Sequence, residues 1–228
     1  MISVVIPASG MGIRMGASKP KQFMQLDGMD ILQRTISVFE QMDIVDTIVV
    51  AVQPCYMQTI ANYGFAKLQI VQGGESRAAS VYSALLALPQ NTDVVLIHDG
   101  VRPFVTLQTV RDVTDAVKKY GAAIACTPVT NTIKQTKNGN CIESTPDRHN
   151  LWNALTPQGF TYNLILQAYK QGATDNILHT VTDDSTLVER LDVPVFVVPS
   201  CSRNIKITTA EDLQLAKLLL NEGTACEK

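Results

Sequence analysis

A glycine-spaced loop followed by cations near the start of the chain could bind phosphate. An apolar, β-branched run at residues 2–6 is typical of a buried strand and leads directly into this loop. The loop contains Gly10, Gly12 and Gly16. Positive charge follows at Arg14, Lys19 and Lys21. Because glycines let a ligand approach the backbone and exposed N–H groups bind anions, we expect a phosphate-rich ligand after the first strand.

Two named nucleotide motifs do not fit this loop. A P-loop requires G-x-x-x-x-G-K-[ST], and no Gly-Lys-Ser/Thr occurs here. A dinucleotide fingerprint requires G-x-G-x-x-G, but after Gly10 and Gly12 the third glycine comes one place late, at Gly16. That fingerprint also expects an acid after the next strand, where Gln53 stands instead. An ordinary glycine-rich turn stays an alternative, and the clustered cations disfavour it.

A second candidate site follows the apolar run at residues 94–98. Asp99 and Arg102 lie in the predicted loop just after it. The carboxylate could hold a divalent cation or a substrate hydroxyl, and the arginine could bind phosphate through two hydrogen bonds. The alternative is an Asp99–Arg102 ion pair that only ties the loop together. We expect His98 to be a packed core residue, since no second His or Cys lies at ligand spacing.

Weaker candidates lie further along the chain. Gly73 and Gly74 offer a backbone surface for a flat base, with Ser80 one turn into the following helix, although Ser76 as a helix N-cap would explain most of this pattern. Four other interpretations follow: Arg148 as a phosphate ligand or an exposed arginine, Trp152 as core, Lys206 on a short β-like run, and residues 182–184 as a helix N-terminus.

Composition limits the possible classes of protein. The 228 residues are 46% apolar and 18% charged, which is typical of a water-soluble protein with a large core. A net charge of −2 argues against nucleic-acid binding. Five cysteines without C-x-x-C spacing argue against zinc and a disulfide framework and favour reduced thiols. No apolar run reaches the roughly 18 residues of a membrane span, and a signal peptide is not expected, so we predict a cytoplasmic protein.

Strand-like and helix-like segments alternate along the first 125 or so residues, which predicts an α/β fold with a mostly parallel sheet and helices on both faces. The predicted strands are 2–6, 47–52, 68–71, 94–98, 122–127 and 195–198. The predicted helices are 31–41, 56–63, 76–88, 107–120, 161–171, 182–190 and 210–220. Asn138-Gly139 between two β-rich runs predicts a hairpin that projects from this core, at about residues 129–150.

Taken together, these motifs resemble the 2-C-methyl-D-erythritol 4-phosphate cytidylyltransferases of the non-mevalonate isoprenoid pathway. The matching elements are Pro7-Ala-Ser-Gly-x-Gly-x-Arg14-Met, Pro20-Lys21-Gln22, Gly73-Gly74-x-x-Arg77, His98-Asp99-x-x-Arg102-Pro103, Asp147-Arg148, Leu155-Thr156-Pro157-Gln158, Thr182-Asp183 and Asn204-Ile205-Lys206. They occur in the family's order over nearly the whole chain, which makes the resemblance specific.

The resemblance implies a Rossmann-like nucleotidyltransferase fold, one domain over residues 1–228 with the β-arm, and a homodimer. It implies transfer of a cytidylyl group from CTP, with Mg²⁺ or another divalent cation, to methylerythritol phosphate. The implied nucleotide-binding residues are Ala8, Ser9, Gly10, Gly12, Gly74, Glu75 and Ser80. The implied catalytic residues are Arg14, Lys21, Arg148 and Lys206. The implied substrate-binding residues are Asp99 (also a candidate metal ligand), Arg102, Thr132, Thr156 and Thr182, with Thr132 and Arg148 supplied by the partner's arm.

Three alternatives remain at this point. Asp99-Gly-Val-Arg-Pro-Phe also resembles cytidylyltransferases that act on ribitol 5-phosphate, although the residues around Arg148 and Trp152 fit the methylerythritol family better. A dinucleotide-dependent oxidoreductase is suggested by Gly10-x-Gly12 alone. A catalytically inert nucleotide-binding module is the third alternative, and the cations disfavour it.

Overall fold

The computed structural model describes residues 1–10 and 19–222. The strands are β1 (Ile2–Pro7), β2 (Gln25–Leu26), β3 (Met29–Asp30), β4 (Thr47–Val52), β5 (Leu68–Gln72), β6 (Val94–Ile97), β7 (Ala122–Pro128), β8 (Gln135–Lys137), β9 (Cys141–Ser144), β10 (Trp152–Thr161) and β11 (Phe196–Pro199). The helices are α1 (Ile31–Glu40), α2 (Pro54–Ala61), α3 (Arg77–Leu86), α4 (Leu107–Tyr120), α5 (Tyr162–Thr174), α6 (Ser185–Glu189) and α7 (Ala210–Asn221).

A seven-stranded sheet in the order β11-β7-β10-β6-β1-β4-β5 forms the centre of the fold. β1 pairs in parallel with β4 and β6, and the β4–β5 and β7–β11 pairs are also parallel. β10 lies antiparallel between β6 and β7. The prediction of a mostly parallel sheet is therefore confirmed, with one inserted antiparallel strand.

Side chains of β1 alternate between two apolar cores, one on each face of the sheet. Val4 and Ile6 join the core formed with α1 and α4, whereas Val5 joins the core formed with α3 and α5. This period of two is what a strand covered on both faces requires. Helices on both faces are thus confirmed.

A third, smaller apolar cluster connects the loop after β6 to the C-terminal part of the chain. It contains Val101 and Phe104 from that loop, Ile207, and Leu219 of α7. Ile207 N also donates to Val101 O at 2.9 Å. Burial of these groups fixes the segment before α7 against the carboxyl end of β6.

The projecting hairpin is present as β8 and β9. Asn138 and Gly139 have φ angles of +53° and +82°, as the tight turn requires. All residues of β8 and β9 are exposed in the single chain.

Three expectations are wrong, and one strand was missed. β10 was not predicted, and Trp152, expected in the core, is 40% exposed at its start. The helix predicted at 182–190 is shorter, because α6 begins at Ser185. Cys201 is disulfide-bonded, whereas Cys55, Cys126 and Cys141 are free thiols.

None of the described helices is long and apolar enough to cross a bilayer.

Candidate active site

A cavity of about 670 Å³ opens where β1, β4, β5 and β6 end. Carboxyl ends of parallel strands are where ligands bind in open α/β sheets. The cavity brings together many residues that the sequence predicted, namely Ala8, Ser9, Gly10, Lys21, Gly74, Glu75, Ser80, Asp99 and Lys206.

Two glutamine side chains hold the loop after β1 in place. Gln22, which is buried, donates from Nε2 to the carbonyls of Ala8 and Gly10 at 2.8 and 2.9 Å. Gln53 donates from Nε2 to Ser9 O at 3.1 Å. Three successive carbonyls are therefore fixed by side-chain amides, which pre-organises the loop for a ligand. Neither residue was assigned this role from the sequence, although Gln22 belongs to the Pro20-Lys21-Gln22 motif and Gln53 is a polar residue directly after a buried strand.

The double glycine after β5 lies against the same loop. A Cβ at Gly73 would stand 1.6 Å from Ser9 Oγ, so only glycine fits there without displacing Ser9. Ser76 caps α3 by accepting from Ala79 N at 3.0 Å, as expected, and Ser80 donates to Ser76 O at 2.8 Å. Gly74 O is a second acceptor for the Ser80 hydroxyl at 3.3 Å, so Ser80 borders the cavity while its proton points toward backbone carbonyls.

Asp99 lies at the centre of a cluster of cations. Its Oδ1 is 3.4 Å from Arg77 Nε, and its Oδ2 is 3.1 Å from Arg102 Nε and 3.0 Å from Lys206 Nζ. Burial alone would raise the pKa of Asp99, but the charges of Arg77, Lys206 and Arg102 hold that pKa well below its usual range. The Asp99–Arg102 ion pair is present, and Arg102 and Lys206 place cationic groups beside it that can bind phosphate.

Arg77 connects this cluster to a fully buried carboxylate that the sequence did not reveal. Its two terminal nitrogens donate to Asp184 Oδ1 and Oδ2 at 3.0 and 2.7 Å. Tyr169 OH also donates to Asp184 Oδ1. Burial acts to lower the pKa of Arg77, but the Asp184 and Asp99 carboxylates together raise that pKa above its usual value. Arg77 is thereby held between two acids, Asp99 and Asp184.

A smaller cavity of about 80 Å³ shares Arg77, Asp99 and Lys206 with the first. Arg102, Thr156 and Thr182 line it, so three more predicted residues lie beside the Asp99 cluster. The hydroxyl of Thr156 is already hydrogen-bonded, since Asp99 N donates to it at 3.1 Å.

Two predicted residues of the described part of the chain, Thr132 and Arg148, line neither cavity. Thr132 and Arg148 are exposed near the hairpin, and Arg148 Nη1 donates to Thr130 O at 2.8 Å. Gly12 and Arg14 lie outside the described residues.

Asp99 is a poor ligand for a divalent cation. Both of its oxygens already contact guanidinium or ammonium groups, which would repel a metal ion. Among residues 1–10 and 19–222, no group of three or more His, Cys, Asp or Glu side chains could hold a metal. The candidate metal role of Asp99 is therefore not supported by its surroundings.

His98, fully buried behind the cluster, should make stability depend on pH. Burial lowers its pKa from 6.5 to about 4. Between these values the unfolded chain binds a proton that the folded chain does not, so stability falls as pH falls through this window. We expect His98 to remove about 2 kcal/mol of unfolding free energy between pH 7 and pH 5.

Urea unfolding at both pH values measures this contribution of His98 to the free energy of unfolding. The proteins compared are the natural chain, His98→Gln and the control His179→Gln. His179 is exposed, so His179→Gln should lose as much stability on acidification as the natural chain, whereas His98→Gln should lose less. Equal pH dependence in all three proteins would contradict the assignment.

Comparison with known proteins agrees with this geometry. Residues 2–222 match the family model described as 2-C-methyl-D-erythritol 4-phosphate cytidylyltransferase. A protein of that name from Syntrophus aciditrophicus is 40% identical over 227 residues, covering 97% of this chain and 96% of that protein. One from Geobacter metallireducens is 42% identical over 230 residues, covering 97% and 98%.

Solved structures give the same result. The 4-diphosphocytidyl-2C-methyl-D-erythritol synthase of Anaerococcus prevotii superposes with a TM-score of 0.86 at 30% identity, covering 97% of this chain and 98% of that one. The 2-C-methyl-D-erythritol 4-phosphate cytidylyltransferase of Francisella tularensis gives 0.84 at 32% identity, covering 95% and 98%. The chain therefore belongs to the 2-C-methyl-D-erythritol 4-phosphate cytidylyltransferase family.

Proposed function

We propose that the chain transfers the cytidylyl group of CTP to 2-C-methyl-D-erythritol 4-phosphate, forming 4-diphosphocytidyl-2-C-methyl-D-erythritol and pyrophosphate. The observation that carries this proposal is one cavity that joins the loop after β1 and Lys21 to the Asp99–Lys206 cluster. Family membership favours this activity over ribitol 5-phosphate transfer and over dinucleotide-dependent oxidation.

The division of the cavity suggests how two anionic substrates meet. Ala8, Ser9, Gly10, Gly74, Glu75 and Ser80, with Gly12, would hold the cytidine, and Arg14 with Lys21 would hold the triphosphate. Asp99, Arg102, Thr182 and Lys206 would receive methylerythritol phosphate, with Thr156 supporting them. The attacking phosphate oxygen is already an anion, so no general base is needed, and fixed cations supply the stabilisation.

A divalent cation would enter with the nucleotide. Mg²⁺ prefers oxygen ligands and is commonly held by substrate phosphates. Because the cations around Asp99 disfavour a metal there, we propose that the phosphates of CTP provide most of its ligands. Its contribution would be neutralisation of the triphosphate charge.

Pyrophosphate release tests this proposal directly. We expect release when CTP and Mg²⁺ are supplied with methylerythritol phosphate, and much less with ribitol 5-phosphate. Activity with ribitol 5-phosphate alone would favour the alternative transferase, and release with neither would remove the assignment. Binding of NAD(H) without binding of CTP would instead support the oxidoreductase.

We also propose a homodimer, with a single domain per chain and an arm at residues 129–150 that reaches the partner's site. Ile133, Ile142 and Trp152 are exposed large apolar residues in or next to this arm. A two-stranded hairpin is marginal alone, so a second copy is a reasonable partner for it. In that arrangement Thr132 and Arg148 would complete the neighbour's site.

A mixing experiment tests whether sites are shared. Arg14→Ala and Arg148→Ala proteins should each have low activity, because each lacks one cation at every site. After subunit exchange, half of the dimers are mixed and each has one intact site, so we expect about a quarter of natural activity. No recovery, with exchange confirmed by native mass spectrometry, would contradict sharing.

A further inference from the structure

A set of buried hydrogen bonds lies directly behind Asp99 and Arg102. We propose that His98 and Thr156 are positioning residues that fix the loop carrying Asp99 and Arg102 through one defined arrangement of protons. This inference rests on the proposed function, because that loop is taken to receive methylerythritol phosphate. His98 is fully buried and therefore acts only through its neighbours.

Both ring nitrogens of His98 reach the loop. Nε2 is 3.0 Å from Arg102 O, and Nδ1 is 3.0 Å from Thr156 Oγ1. Thr156 Oγ1 in turn accepts from Asp99 N at 3.1 Å. The ring therefore holds the backbone at both ends of residues 99–102, directly at Arg102 and through Thr156 at Asp99.

The hydrogen-bonding partners of His98 and Thr156 determine which atom carries each proton. A carbonyl oxygen can only accept, so the bond to Arg102 O places the proton on Nε2. In a neutral ring Nδ1 is then the acceptor, so the Thr156 hydroxyl donates to it. The same hydroxyl oxygen accepts from Asp99 N. Burial keeps the ring neutral by lowering the pKa of His98 to about 4.

The set extends to the segment that carries Lys206. Asn204 Nδ2 donates to Thr156 O at 2.7 Å, and Arg102 Nη1 donates to Asn204 O at 2.8 Å. Three segments distant in sequence thus meet through side chains and backbone groups behind the cations. Such a support fixes the direction in which Asp99, Arg102 and Lys206 point, which positioning catalysis requires.

A purely structural role makes a different prediction. If His98 and Thr156 only pack, removal of the hydroxyl should lower stability and leave the kinetic constants of the folded protein unchanged. If they position the loop, the constants for methylerythritol phosphate should change while CTP binding does not, because the nucleotide loop is held separately by Gln22 and Gln53. Because Thr156 itself lines the smaller cavity, His98→Gln should show the same change, since the buried side chain of His98 lines neither cavity and cannot contact a substrate.

Three threonine variants separate these roles. Thr156→Val removes the hydroxyl at constant shape, and Thr156→Ser keeps it. Thr114→Val is the matched control, because Thr114 is a buried threonine whose hydroxyl donates to Val110 O within α4. We expect Thr156→Val to lower kcat/KM for methylerythritol phosphate by about 10- to 100-fold, with the Kd of CTP changed by less than about threefold.

The serine variant should recover most of the lost activity, and the control should match the natural chain. Natural kinetics in Thr156→Val, equal losses in Thr156→Ser, or a parallel rise in the Kd of CTP would overturn the proposal.

Nitrogen NMR of His98 provides a readout that does not depend on turnover. Long-range ¹H–¹⁵N spectra of the natural chain at neutral pH should show a neutral ring protonated at Nε2. A ring protonated at Nδ1, or at both nitrogens, would overturn the proposal. An inactive natural chain would defeat the proposed function, while this spectrum would still decide the proton arrangement.

Discussion

Replacing Lys206 with methionine is expected to lower kcat/KM for methylerythritol phosphate by a factor of roughly 10²–10³, by analogy with removal of a donor to a developing anion. The ammonium lies 3.0 Å from Asp99 Oδ2 and borders both cavities. Methionine is unbranched and one atom shorter than lysine, so it removes the ammonium while keeping most of the apolar stem. Asp99 would retain its contacts with Arg77 and Arg102, so we expect the variant to lose activity rather than stability. Initial rates of pyrophosphate release measure it.

Lys118→Met is the matched control for this variant. The Lys118 ammonium is exposed on α4 and lies 3.8 Å from Asp115, away from the cavities. Its removal should change kcat/KM by no more than about twofold. Retention of natural activity by Lys206→Met would show that Lys206 does not bind the reacting phosphate.

Replacing Arg77 with methionine should have the largest effect on stability. Asp184 is fully buried and receives two hydrogen bonds from Arg77. Removal of the guanidinium leaves a buried carboxylate that is no longer paired with Arg77 and to which Tyr169 OH still donates. We expect the free energy of unfolding to fall by about 3–5 kcal/mol, measured by urea denaturation.

Two further variants test this reason. Arg190→Met removes an arginine whose pair with Asp175, at 3.4 Å, is partly exposed, so it should cost less than about 1 kcal/mol. Adding Asp184→Asn to Arg77→Met should restore part of the stability, because the unpaired charge disappears. If Arg77→Met were no less stable than Arg190→Met, the buried pair would not have the importance assigned to it.

Elements whose signals are local could be predicted from the sequence. β4 and α4 have the predicted bounds, 47–52 and 107–120. In α4 the buried residues Val110, Val113 and Val117 recur at helical spacing, and Thr106 caps the start. Gly121 ends this helix with a φ of +88°, a positive value that glycine adopts more readily than other residues.

β10 could not be predicted because it contains residues that are uncommon inside strands. It contains Pro157 and Gly159, and its register shifts between Ala154 and Gln158. Gly159 is needed because a Cβ there would lie 2.7 Å from methyl groups of Val113 and Val117 on α4. That requirement comes from tertiary packing, which a single sequence does not display.

Part of the candidate site could likewise be predicted from the sequence, and part of it could not. The loop after β1, the Gly73–Gly74 turn and Asp99 follow β1, β5 and β6, which run in the same direction in one sheet, so their carboxyl ends necessarily meet at one edge. The pairing of Arg77 with Asp184 spans 107 positions and depends on how α3 packs beside the segment before α6. The roles of Thr132 and Arg148 stay predictions, because they require a second chain.

Phosphorus NMR of a single reaction mixture tests the central claim most directly. The full chain, CTP, Mg²⁺ and methylerythritol phosphate should produce pyrophosphate together with two coupled phosphorus signals, from a new diphosphate that joins cytidine to methylerythritol. Unchanged CTP, or CMP and pyrophosphate formed without loss of methylerythritol phosphate, would contradict the assignment.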